Sequence, residues 1–272
     1  MRSRTGTVCD GLPLIPRGDG SVFLRVNDTL QALAHCAQDG RLVRWVDREI
    51  PFVARRYDRL AVLLPLFDWL FCFPPHLREL AATRLEVEPG ARVLEIGCGT
   101  GRNFRALQRA VGRDGRIYGV DVSAGMLARA RALCMRNDWE NVELTRCDAA
   151  EYIAPEPLDG ILFGLSYNTM PHHRVVLQHA WNMLRQGGRM VILDAKPPPG
   201  RLGDLFLPAG AWLMKHTLLG NPYIRPWVHL AELAQDFGME EFVFGSWYVC
   251  WGTKPVRDVM EQRDYLELRA AE

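Results

Sequence analysis

The stretch Val93-Leu94-Glu95-Ile96-Gly97-Cys98-Gly99-Thr100-Gly101-Arg102-Asn103-Phe104 constrains the fold more than any other part of the chain. It reads as a buried β-strand ending in an acid, a glycine-rich turn, and the start of a helix. Three glycines at alternate positions let the backbone turn tightly and bring its N–H groups against a ligand with no Cβ in the way. A dinucleotide site of the G-x-G-x-x-G kind has its third glycine where this chain has Arg102. Here the third glycine comes one residue earlier, at Gly101, and the pattern becomes E-x-G-x-G-x-G.

The theme of a short apolar strand ending in an acid repeats downstream. Arg116-Ile117-Tyr118-Gly119-Val120-Asp121 is one instance, and Val142-Glu143-Leu144-Thr145-Arg146-Cys147-Asp148-Ala149 is another. Leu158-Asp159-Gly160-Ile161-Leu162-Phe163-Gly164 follows, and then Leu184-Arg185-Gln186-Gly187-Gly188-Arg189-Met190-Val191-Ile192-Leu193-Asp194. The periodicity predicts strands near 91–96, 116–121, 141–145, 158–163 and 188–194, with helices near 102–111, 123–137 and 172–185. Such alternation implies a parallel sheet covered by helices on both faces. Right-handed crossovers place the strand C-terminal ends on one edge, where ligands collect, and Glu95, Asp121, Asp148 and Gly164 fall there.

These five signals, in this order, resemble the class I S-adenosylmethionine (SAM)-dependent methyltransferases over about residues 55–253. The resemblance implies an α/β, Rossmann-like seven-stranded methyltransferase sheet with helices on both faces. It also implies an N-terminal helical cap and an insert after strand five. SAM would be the cofactor and S-adenosylhomocysteine the product. By the same resemblance, Asp121 takes both ribose hydroxyls, a bidentate task suited to an ionised acid. Asp148 accepts from the adenine amino group, and the Ala149 N–H faces a ring nitrogen. The turn residues Glu95, Gly97, Cys98, Gly99, Thr100 and Gly101, with Asn103, are further cofactor-binding residues, and Gly164 ends a strand near the methionine portion. Val122 and Met126 complete the cofactor set. Gln186 departs from the proline usual at that place in the family. Tyr57-Asp58 is similar to an element of the ubiquinone/menaquinone C-methyltransferases and bacterial phospholipid N-methyltransferases, in which the tyrosine approaches the methionine end of SAM. A helix start packed on the core is the alternative reading.

Residues 1–56 read as an N-terminal arm and helical cap, with helices from Asn27 to about Asp39 and from Leu42 to about Tyr57. Residues 57–255 form the methyltransferase domain, with a lid insert at about 197–227. A helix is expected from Val228 to Phe237, stopped at Gly238, then a hairpin over 241–252 and a charged tail over 256–272.

A net charge of +1 argues against a broad nucleic-acid footprint. The seven cysteines form no C-x-x-C pair, and their number is odd. They read as reduced thiols of a cytoplasmic protein, with no metal site, and Cys98 as a small packed residue. No signal peptide is visible, and no apolar run reaches the roughly eighteen residues of a membrane span.

Methyl transfer from an activated sulfonium needs mainly positioning, so the informative residues are those that would meet the acceptor. The loop Leu165-Ser166-Tyr167-Asn168-Thr169-Met170-Pro171-His172-His173 offers His172 and His173 as general bases and Tyr167 as an orienting group. Both histidines also fit a plain helix start, and Tyr167 fits core packing. Asp194 either meets the acceptor or caps the turn after its strand. The apolar segments 60–75 and 201–227 fit a lid over a hydrophobic small molecule, with peripheral membrane contact, or extra core, or a dimer interface. The sequence assigns no oligomeric state. The expected activity is methyl transfer to a hydrophobic or amphiphilic small molecule, a lipid-like amine being favoured. The alternatives are C- or O-methylation of a quinone or aromatic precursor, transfer of another part of SAM, and a non-catalytic SAM-binding partner or sensor.

Overall fold

The computed structural model describes residues 50–60, 73–198, 220–221 and 224–256, together with the backbone of five strands between residues 8 and 44. Those five strands are β1 (Val8–Cys9), β2 (Leu12–Pro16), β3 (Ser21–Val26), β4 (Thr29–Cys36) and β5 (Leu42–Arg44). They pair in sequence order as an antiparallel sheet. Helices α1 (Ile50–Leu60) and α2 (His76–Thr83) follow. The alternating part then runs β6 (Arg92–Ile96), α3 (Phe104–Val111), β7 (Arg116–Asp121), α4 (Ala124–Arg136), β8 (Val142–Arg146) and β9 (Leu158–Gly164). A 3-10 turn at Tyr167–Thr169 leads into α5 (His173–Met183) and β10 (Leu184–Ala195). The described chain ends with α6 (Pro226–Ala231), β11 (Phe237–Phe242) and β12 (Trp247–Thr253).

The second sheet has seven strands in the order β11-β12-β10-β9-β6-β7-β8. β6 pairs in parallel with both β7 and β9, and β12 enters antiparallel beside β10. Successive crossovers therefore run to opposite sides of β6, and the crevice at that reversal is where such sheets bind ligands.

Strand alternation divides the core into two layers. Val93, Ile117, Leu162, Val191 and Val249 face one layer, with Leu77, Phe104, Leu107 and Leu127 from α2, α3 and α4. Leu94, Ile96, Val120, Phe163, Ile192 and Tyr248 face the other, with Val176, Leu177 and Trp181 from α5 and Leu230 from α6. Both faces of the sheet are covered, which is why its strands read as nearly continuous apolar runs.

Three expectations are corrected. The helix foreseen from Asn27 to Asp39 is strand β4 over Thr29–Cys36. Leu30, Ala32, Ala34 and Cys36 also recur at a period of two, with a register shift at Leu33, so the segment fits a strand as well as a helix. Val26 lies opposite Thr29 in the β3–β4 pairing, and Asn27 and Asp28, read as a cap, lie outside the described residues. Leu42–Arg44 is strand β5 and the described helix begins at Ile50, so the expected second helix reduces to α1. The helix foreseen over Val228–Phe237 ends at Ala231, and Gly238 lies inside β11, where a Cβ would meet the Trp251 indole. Helix α2 was not foreseen; it buries Leu77, Ala81 and Ala82. Most of the expected lid, the segment 61–72 and the tail beyond 256 lie outside the described residues.

Candidate active site

A cleft of about 220 Å³ opens at the carboxyl edge of the seven-stranded sheet. Its floor is the turn after β6. Gly97, Gly99 and Gly101 have φ of 68°, 55° and 80°, in the left-handed region that L side chains avoid. A Cβ on Gly97 would stand 2.5 Å from that of Ser166, and one on Gly101 would stand 2.6 Å from the Phe104 ring. At Gly99 nothing lies within 4 Å of that position, so the backbone there borders open space in the cleft. The turn serves two purposes: its outer glycines allow close packing, and its middle one presents bare backbone.

The Gly99 N–H donates to Asp121 Oδ2 at 2.9 Å, and the Ser123 N–H donates to Oδ1 at 2.8 Å. These bonds hold Asp121 in a fixed orientation at the end of β7, although burial raises its pKa above the usual carboxylate range. Ser123 caps α4 by accepting the Met126 N–H. Asp148 and Ala149 continue the same wall at the end of β8, with Val122 and Met126 between them and the turn.

Glu95 is almost fully buried behind the turn, and burial pushes its pKa up to about 8. Asn103 Nδ2 donates to Glu95 Oε1 at 2.5 Å, and Arg78 Nη1 donates to Asn103 Oδ1 at 2.9 Å. Glu95 Oε2 has no partner among the described residues. The Asn103 amide lies so close over Gly164 that a Cβ there would collide with it. Gly164 is thus small to make room for Asn103. Cys98 is packed and its thiol pKa is raised by burial, so it behaves as a small apolar residue.

Helix α1 places Tyr57 in the cleft, where its hydroxyl bonds Thr169 and burial raises its pKa. Asp58 explains how. Its Oδ1 accepts the Ser123 hydroxyl at 2.5 Å and the Gly125 N–H at 2.8 Å, which pins α1 to the start of α4. The Ser123 bond, then the Gly125 bond, hold this carboxyl below its usual range.

The opposite wall is apolar: Ile50 and Val53 from α1, Leu165 and Met170 from the loop, Val176 from α5 and Trp247 from β12. Asp194 interrupts it. Buried at the end of β10, it accepts the Ala195 N–H at Oδ1 (2.8 Å) and the Asn168 N–H at Oδ2 (3.1 Å), and burial pushes its pKa up to about 7.

Of the residues singled out from the sequence, Tyr57, Gly97, Gly99, Thr100, Asn103, Asp121, Val122, Met126, Asp148, Ala149 and Gly164 line the cleft. Glu95, Cys98 and Gly101 stand just behind it. Tyr167, His172 and His173 are placed elsewhere. Tyr167 is fully buried with its hydroxyl 3.0 Å from His229 Nδ1, and His173 stacks on His229 with ring centroids 5.6 Å apart. His172 is exposed in a left-handed conformation (φ 54°) at the start of α5. Sequence reasoning missed Arg78, which lies on the unforeseen α2, and Trp247. It left Asp194 undecided, although that residue obeys the strand-ending rule that identified the other acids. Among the described residues no His, Cys, Asp and Glu group would hold a metal ion, and no helix is long and apolar enough to cross a membrane.

Residues 93–188 match the family model described as a methyltransferase domain, about a third of the chain. A 2-phytyl-1,4-naphtoquinone methyltransferase of Thermosynechococcus vestitus is 36% identical over 149 residues, covering 52% of this chain and 64% of that protein. A demethylmenaquinone methyltransferase of Geobacillus sp. is 28% identical over 149 residues, covering 54% and 61%. The chain therefore spans under two thirds of the length of these relatives. In solved structures, the methyltransferase in complex with the Trm112 activator of Haloferax volcanii matches with a TM-score of 0.59 at 15% identity. That match covers 76% of this chain and 99% of the other, and supports the fold alone. The seven-stranded sheet, its glycine turn and these matches support a class I SAM-dependent methyltransferase domain around residues 93–188. Within that class the chain is similar to quinone methyltransferases. The favoured lipid-like amine has no counterpart among the relatives named here.

The residues present fit SAM. The open space over Gly99, the oriented Asp121 carboxylate and the buried Glu95 oxygen without a partner are features an adenosyl sulfonium with an amino-acid tail would engage.

Proposed function

We propose that this chain transfers the methyl group of SAM to an aromatic, hydroxylated small molecule of the quinol type. One observation carries the reading: a single cleft has carboxylates at the ends of β7 and β8 on one side and an apolar wall on the other. The first side suits an adenosyl group, with Asp121 on the ribose, Asp148 and Ala149 on the adenine, and Val122 and Met126 against the ring. The turn, with Asn103, Gly164 and Tyr57, would hold the methionine end and aim the methyl at the second side. There Ile50, Val53, Met170 and Trp247 would grip a planar apolar ring and exclude water. SAM supplies an already activated methyl group, so the chain's task is alignment of two reactants. The naphthoquinone relatives favour a ring carbon as the methylated atom.

The test is turnover with methyl-deuterated SAM and a chemically reduced 2-alkyl-1,4-naphthoquinone, read by mass spectrometry. One labelled methyl on the ring is expected. Tight S-adenosylhomocysteine binding without label in any quinol would overturn the reading and favour a non-catalytic SAM-binding role.

A further inference from the structure

We propose that Asp194 is the general base that takes the hydroxyl proton of the phenolic acceptor. This rests on the methyl-transfer reading above and adds to it the residue that moves the proton. Three carboxylates line the cleft: Asp121, Asp148 and Asp194. The first two end or follow β7 and β8, whereas Asp194 lies on β10, three places along the sheet from β7. At about 4.8 Å per strand that is roughly 14 Å, too far for one group to serve both ends of the cleft. Asp194 is therefore the carboxylate on the side where the apolar wall would seat the acceptor.

Its setting suits the task. Each oxygen is held by one backbone N–H, from Ala195 and from Asn168, so the carboxylate is oriented, with no cation paired to it among the described residues. Each oxygen still keeps a lone pair for a hydroxyl proton. Among the described residues, the titratable groups that sense it are Tyr57 from α1 and Tyr248 and Cys250 from β12, all uncharged at neutral pH. Burial in that uncharged company brings its proton affinity near the working pH, where a general base is most effective. The histidines suggested by the sequence stand outside the cleft, one exposed and one stacked on His229 with its edge toward Tyr167.

The step balances without a further reactant. Asp194 takes the acceptor's hydroxyl proton, and the freed electron pair moves through the ring to the carbon that bonds the methyl group. The carbon–sulfur bond breaks with its pair going to sulfur, which neutralises the sulfonium. The ring carbon then loses its own hydrogen as a proton to solvent, and Asp194 returns its proton to the oxygen. One proton is released per methyl transferred.

The experiment uses two naphthols of similar shape, one ionising well above the assay pH and one well below it. Wild-type rate against pH should show a rising limb near neutrality for the weakly acidic naphthol and none for the ionised one. Asp194→Asn should lower kcat for the weakly acidic naphthol about 10²–10⁴-fold. It should leave S-adenosylhomocysteine affinity within about twofold and recover most of the rate with the ionised acceptor. An equal loss with both acceptors would make Asp194 a positioning residue only and overturn the proposal, as would no loss with either. A wild-type profile without the limb would overturn it even where the variant fails to fold. Wild-type turnover of neither naphthol would instead remove the methyl-transfer reading itself, before any variant is made.

Discussion

The two halves of the cleft are built by different rules. The half under β6, β7 and β8 is made of consecutive strand ends and the turns after them, so its residues sit close in sequence and follow one pattern: apolar strand, acid, turn. The half under β9, β10 and β12 draws on α1, the 3-10 turn, α5 and the returning strand, which are separated by up to about 200 residues. Binding a constant nucleoside can be encoded locally, because its polar groups must meet the ends of adjacent strands. Seating an acceptor depends on which distant segments happen to pack over the edge. The first half is therefore readable as a motif and the second is not.

If the division is real, single substitutions should act on one half and spare the other. Asp121→Ala should weaken S-adenosylhomocysteine binding by roughly 300-fold, since it removes an oriented charged acceptor from a buried site. Isothermal titration would measure this, and a loss under tenfold would break the assignment of that half to the cofactor. The second effect concerns both halves together. Glu95 and Asp194 keep their protons to about pH 8 and about pH 7 in the folded chain, well above the unfolded carboxylate range. Between about pH 4 and those values the folded state binds more protons than the unfolded state, so its stability falls as pH rises. Denaturant melts of the ligand-free protein should show a decline of several kcal/mol across that window, shallower in Glu95→Gln. A flat or rising profile would show that neither carboxyl is desolvated.

Ile50→Ser, on the apolar wall, should raise KM for an apolar acceptor about tenfold while S-adenosylhomocysteine affinity stays within about twofold. Equal losses in both would merge the two halves. Asp58→Ala should cost about 1 kcal/mol by freeing the start of α4, and should weaken cofactor binding a few-fold as Tyr57 loses its anchor. Thermal shift with and without S-adenosylhomocysteine separates the two contributions. The smallest effect is expected at His172→Ala, whose exposed ring should be removable with less than a twofold change in kcat; a large loss there would return the base to the loop.

The same contrast explains how far the sequence could be read. Every strand of the alternating region was legible to within a few residues, because both faces of the sheet are buried and acids mark the carboxyl ends. Errors arose where two periods fit one segment. Leu30, Leu33, Ala34 and Ala37 match a helical stripe, yet Leu30, Ala32, Ala34 and Cys36 also recur at a period of two, and the segment pairs with Ser21–Val26. Gly238 looked like a helix stop but is small because Trp251 lies across it. Helix α2 gave a weak signal because it is only eight residues long and shows the sheet a stripe of two alanines and a leucine.

By itself the sequence determined that a glycine turn with acids at successive strand ends must form one edge of a parallel sheet. Steric freedom at Gly97, Gly99 and Gly101 and the order of the strands leave little alternative. Only the tertiary structure decided that His173 and Tyr167 pack against His229 away from the cleft, and that Asp58 reaches α4. It alone set Asp194 in an uncharged wall between Asn168 and Ala195. Those outcomes depend on which groups lose water and which meet across the sheet, and burial of that kind is a property of the packed chain.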